Sequence, residues 1–135
     1  MSSFNKIFET KIKNELSEFI EINNILYLNQ FGFRKYHSTI DALIKTHDFN
    51  INEIRDRKKV VGIFIDLRKA FDSIDTTILL QKLKIYGING PYNELLKSYV
   101  TDRKCCTEVN GCSSSLNAIK FGVPQGSVLG PLLFS

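Results

Sequence analysis

Asp66 closes an apolar run, Val60-Val61-Gly62-Ile63-Phe64-Ile65. The run is rich in β-branched residues and too short for a membrane span, so it reads as a strand over 60–66 buried on both faces. A carboxylate at the carboxyl end of such a strand is where an α/β scaffold presents a group that handles a metal or a phosphate. A helix cap or a plain edge charge fits the same residue. A second stretch, QFGFRKYHST at 30–39, sets two Phe around Gly32 and follows them with Arg34 and Lys35. A basic, aromatic loop of this kind can grip a nucleic-acid backbone. It can equally be a turn pinned by two buried rings. The third stretch, GVPQGSVLGPLLFS at 122–135, is punctuated by glycines that let a backbone come close to a ligand. Gln125 offers a donor and an acceptor within its Pro-Gln-Gly turn. No Gly-Lys-Ser/Thr follows these glycines, so the stretch is not a phosphate-binding Walker loop. Cys105, Cys106 and Cys112 form no CxxC pair and have no nearby His, which speaks against a zinc site or a disulfide framework.

Helical and hairpin signals surround these stretches. Phe4, Ile7, Phe8, Ile12, Leu16, Phe19 and Ile20 recur at helical spacing, predicting an amphipathic, core-packing helix over 4–22. Ser38 and Asp41 make a capping box ahead of a helix over about 39–56. Its apolar stripe is Ile40, Leu43, Ile44, His47, Ile51 and Ile54, with His47 expected as a packed core histidine. Asp75 caps the next helix, whose stripe is Leu79, Leu80, Leu83 and Tyr86, and Gly87 is its left-handed stop. Pro91 opens a further helix with Tyr92, Leu95, Leu96, Tyr99 and Val100 inward. Asn110-Gly111 predicts a hairpin joining strands near 104–109 and 114–121.

The 135 residues suit one domain, and 43% apolar content excludes a disordered chain. A net charge of +4 and a pI near 9.0 are compatible with a nucleic-acid partner without requiring one. The amino terminus lacks a signal-peptide core, and no run reaches a membrane span. The expected setting is intracellular, in nucleus or cytoplasm, without membrane contact.

Three blocks, QFGFRKYHST (30–39), FIDLRKAFDSID (64–75) and GVPQGSVLGPLLF (122–134), occur in an order and spacing that resemble the reverse transcriptase domain of non-LTR retrotransposons of the jockey and LINE-like kind. The connecting text is similar as well: NKIFE at 5–9, YGI at 86–88, KSYVTDRK at 97–104 and VNG at 109–111. The resemblance covers the whole chain.

It implies an α+β (α/β) fold: a partial right-hand polymerase, with helical fingers and finger–palm helices at 1–59 and the first half of a palm at 60–135. Asp66 matches the first catalytic aspartate, a ligand of Mg²⁺. Phe71 matches the residue that packs under the incoming sugar and rejects a ribose 2′-hydroxyl. Gln125 and Gly126 match the turn that touches nucleotide and template, and Arg34 falls in a fingers block that faces nucleic acid or triphosphate. Asp72 takes a structural role. The implied partners are an RNA template, a DNA primer and a deoxynucleoside triphosphate (dNTP). In the family the remaining metal ligands lie on an Asp-Asp hairpin, and no Asp-Asp pair occurs in this sequence. The expectation is therefore an incomplete palm, lacking a C-terminal palm and thumb segment and inactive by itself. A second reading is a non-catalytic nucleic-acid-binding remnant. A third, outside the family, is a small metal-dependent phosphotransferase on Asp66. That chemistry uses a second Asp two residues on, where this chain has Arg68.

Overall fold

A computed structural model describes residues 3–124 and 126–135. The first helix, α1 (Ser3–Ile22), buries Ile12, Leu16 and Ile20 and leaves Phe4 and Ile7 in solvent. Helix α2 (Thr39–Arg55) begins at the predicted capping box. Asp41 donates its backbone N–H to Ser38 Oγ at 3.2 Å, and its carboxylate accepts from the Ser38 backbone N–H at 2.7 Å. Helix α3 (Thr76–Ile85) starts where the Asp75 carboxylate accepts the Thr77 and Ile78 N–H groups, and it stops at Gly87 with φ +91°. Helix α4 (Pro91–Val100) opens on its proline, whose fixed φ suits a first turn that needs no N–H donor.

The core lies between α1, α3, α4 and the last helical turns, α5 (Gly130–Phe134). Leu96 and Leu129 are fully enclosed, and Val100, Val123, Leu132 and Leu133 lie beside them. Asn93 is also buried, and its side-chain amide donates to the Ile88 carbonyl at 3.2 Å, tying α4 to the α3–α4 turn.

The Asn110-Gly111 turn forms as expected, with φ +50° and +78°, the two positive values a type I′ turn requires. The hairpin it closes is two short antiparallel ladders. Strand β2 (Glu108–Val109) pairs with β3 (Cys112–Ser113), and β1 (Arg103–Cys105) pairs with β4 (Asn117–Ile119). Between the ladders residues 106–107 face 114–116, so the register slips by one residue as at a bulge. The result is a mixture of helices and small antiparallel sheets.

Two expectations fail. Residues 60–66 do not form a buried strand: they take no regular secondary structure, and Val61, Ile63, Phe64 and Ile65 are 83 to 95% exposed. A strand is buried by its neighbours, and among the described residues no strand or helix lies against this run; the four strands pair within 103–119. Helix α2 likewise has no buried residue, and the His47 side chain is 72% exposed beside Asp48 instead of packed in a core.

Candidate functional site

The site is assembled where the second and third sequence blocks touch. Lys69, in the left-handed region at φ +54°, turns the chain into a 3-10 turn over Ala70–Ser73. That turn presents its main chain to the 122–123 stretch. Gly122 donates its N–H to the Ile74 carbonyl at 2.7 Å, and Val123 donates to the Phe71 carbonyl at 3.0 Å. Asp75 and Phe121 form one antiparallel bridge next to them. The approach demands glycine. A Cβ at position 122 would lie 2.8 Å from both the Asp72 Cα and the Phe71 carbonyl oxygen, and φ there is +82°. Arg103 braces the same point from the start of β1, donating to the carbonyls of Val100, Phe121 and Gly122.

Phe71 is half-buried and packs on the core. Its ring centroid lies 5.0 Å from Phe134 and 5.9 Å from Phe33, and Phe33 lies 6.4 Å from Phe134. These tilted and edge-to-face contacts fall in the range where aromatic pairs attract, each contributing about 0.5–1.5 kcal/mol beyond burial. One ring comes from each of the three sequence blocks, so the three blocks meet in space.

The basic loop is held tightly. Arg34 donates from Nε and from one terminal nitrogen to the Glu21 carboxylate, at 3.0 and 2.9 Å, in a two-pronged pair. The pair holds the Glu21 carboxyl below its ordinary range and raises Arg34 further. Arg34 therefore ties the loop to the end of α1, and its guanidinium is engaged within the protein. Phe33 and Tyr36 sit at φ +58° and +61°, which bulky residues rarely adopt. Each such residue stores about 1–3 kcal/mol and persists only where its surroundings fix it. Here Arg34, the Phe33 ring contacts and Lys45, whose Nζ lies 5.7 Å from the Phe31 ring centre, do so.

The expected site residues thus separate. Phe71 joins the 122–123 main chain that leads into the turn. Gly126 is exposed on that turn with φ +72°. Gln125 lies outside the described residues. Asp66 is exposed at the end of the irregular 60–66 run. Among the described residues no three His, Cys, Asp or Glu side chains converge as metal ligands, so this donor set does not fit a divalent-metal centre. The described residues also contain no helix long and apolar enough to cross a membrane.

One residue escaped the sequence reading. Glu9 is 4% exposed, and its carboxylate accepts the Val128 backbone N–H at 2.7 Å, across 119 positions of chain. Its place on the stripe that continues through Ile12 and Leu16 was the available signal: a charge on the buried side of a helix.

Comparison with known proteins bears on all of this. A family model described as reverse transcriptase (RNA-dependent DNA polymerase) matches residues 1–135. The chain is 37% identical over 135 residues to the probable RNA-directed DNA polymerase from transposon BS of Drosophila melanogaster. It is 36% identical over 135 residues to the RNA-directed DNA polymerase from mobile element jockey of the same species. The probable polymerase from transposon X-element, also of Drosophila melanogaster, is 34% identical over 134 residues. These matches cover 99–100% of this chain, which spans about 15% of the length of each relative. No solved structure matches the chain.

Proposed function

Because this chain belongs to the reverse transcriptase (RNA-dependent DNA polymerase) family, we propose that it supplies the nucleotide-facing part of a mobile-element polymerase that copies RNA into DNA. The observation that carries the reading is the meeting of the three blocks, through the Phe33, Phe71 and Phe134 rings and the Gly122–Asp72 main-chain contact. In this reading residues 1–59 belong to the fingers and 60–135 to the palm of a right-hand polymerase. Phe71 lies under the incoming sugar, where its bulk excludes a 2′-hydroxyl. The exposed Gly126, with Gln125 beside it, offers main-chain groups to nucleotide and template. Enzymes of the family are generally dependent on a divalent metal. Asp66 is our candidate for one Mg²⁺ ligand, and its co-ligands have to come from outside these 135 residues. The substrates are a dNTP and a DNA primer on an RNA template.

The test is a graft. The matching segment of the jockey polymerase of Drosophila melanogaster is replaced by this chain, and primer extension on RNA is measured. Extension is expected, Asp66→Asn should reduce it to background, and Phe71→Ala should admit ribonucleotides. A graft that folds and extends equally well with Asp66→Asn sinks the assignment. The isolated chain is expected to give no extension.

The second reading, binding without catalysis, is favoured by the lack of converging carboxylates among the described residues. It predicts that the isolated chain binds an RNA–DNA hybrid with an affinity that falls steeply with salt.

A further inference from the structure

A carboxylate is costly to bury without partners, and an apolar residue in its place is often as stable. Glu9 is nonetheless buried on α1 among Ile12, Leu96, Tyr99 and Leu129, and among the described residues no cation pairs with it. What it does hold is the Val128 N–H, at 2.7 Å. The segment around Val128 is locked from its other side too. Ser127, also buried, donates its hydroxyl to the Pro124 carbonyl at 2.6 Å and accepts the Gly130 N–H at 2.9 Å. The Tyr99 hydroxyl, from α4, is buried beside the Glu9 and Ser127 side chains.

These bonds have one geometric effect. Serine fixes the span from Pro124 to Gly130 as a closed turn, and Glu9 fixes that turn to α1. Gly122 and Val123 already fix its other end to the 71–74 turn. The exposed Gly126 lies between the two anchors. We infer that Glu9 is a positioning residue for the nucleotide turn: by capturing the Val128 N–H it sets how far Gly126 stands from Phe71. The inference rests on the polymerase reading for what the turn contacts, and on the hydrogen bond alone for how the turn is held.

The test uses the jockey graft described above, whose flanking polymerase sequence surrounds this segment, and amide hydrogen exchange resolved to single residues by mass spectrometry, with and without dTTP and Mg²⁺. Glu9→Leu fills the same space, with room from the adjoining cavity of about 250 Å³, but offers no acceptor. Glu9→Gln keeps an acceptor oxygen. In Glu9→Leu, Val128 should exchange about tenfold faster or more, the effect of losing a charge-assisted bond, while Leu83 and Leu96 are unchanged. In Glu9→Gln it should stay within about threefold of wild type, because a neutral acceptor still holds the amide. Added dTTP should slow exchange at Gly126 in wild type and Glu9→Gln and lose that effect in Glu9→Leu. If Val128 exchanges alike in all three proteins, the anchor is overturned whatever dTTP does. If wild type itself ignores dTTP while Val128 responds to the substitution, the nucleotide reading fails and the positioning role with it, and the hydrogen bond survives as a structural one. Should Glu9→Leu not fold, Glu9→Asp draws the carboxylate back by one methylene and carries the same expectations.

Discussion

Leu96 and Leu43 stand on apolar stripes with the same helical spacing. Leu96, in α4, is wholly enclosed, and Leu43, in α2, is 69% exposed. The same contrast separates Val123, which is buried, from Val61 in the irregular 60–66 run, which is 83% exposed. Periodicity tells which face of an element seeks cover. It does not tell whether the cover is present. One half of this molecule, α1 with α3, α4 and α5, covers itself. The other half, α2 with the run that ends in Asp66, offers apolar surface with nothing on it among the described residues.

The contrast can be broken most forcefully at Gly122. Gly122→Val should cost about 4 kcal/mol, from a left-handed backbone and a main-chain clash together, read as a fall in the urea midpoint. A midpoint near wild type would mean that the two motif turns do not touch in solution. Leu96→Ala should cost about 3 kcal/mol, the usual price of an emptied core position. Leu43→Ala should change stability by about 0.5 kcal/mol or less, as surface substitutions do. Equal losses at the two leucines would show that α2 is covered after all. Phe64→Lys should leave stability within about 0.5 kcal/mol of wild type. It should also lower self-association in sedimentation velocity, because contiguous exposed apolar surface invites association. A wild-type chain that sediments as a monomer removes the basis for that expectation.

The smallest effect is acidic. Arg34 holds the Glu21 carboxyl below its ordinary 4.5, and Ser38 holds Asp41 below its ordinary 3.8. A depressed carboxylate stabilises above its unfolded value and loses that contribution as pH falls through the folded one. The 30–38 loop should therefore become open to pepsin as pH drops below about 4.5, and Glu21→Gln should open it already at pH 5. A loop cut equally at both values in wild type would show that the pair does not hold it.

Much of the architecture was written in local chemistry. Ser38 with Asp41, Asp75, Gly87, Pro91 and Asn110-Gly111 each act within a few residues, so the helix starts and stops and the hairpin tip could be read directly. What could not be read depends on distant partners. The near-continuous apolar run that made 60–66 look like a buried strand is a property of its side chains, whereas burial belongs to neighbours the described residues do not supply. Nothing in the sequence pairs Arg34 with Glu21, or Glu9 with Val128, because those bonds exist only once α1 has packed. The three blocks were recognisable one by one. Their convergence through Phe33, Phe71 and Phe134 was not, since ring contacts leave no local spacing to detect.

The junction between residues 71–75 and 121–123 is made of main-chain hydrogen bonds, and β1 and β4 pair just outside it. The hairpin tip at Asn110-Gly111 therefore carries no share in holding the two sides together; it only keeps the chain continuous. A polypeptide divided at that tip is two pieces with matching edges. Produced separately, residues 1–110 and 111–135 should recombine into one folded unit, and this stretch of the chain becomes a place where the fold can be split and reassembled on demand.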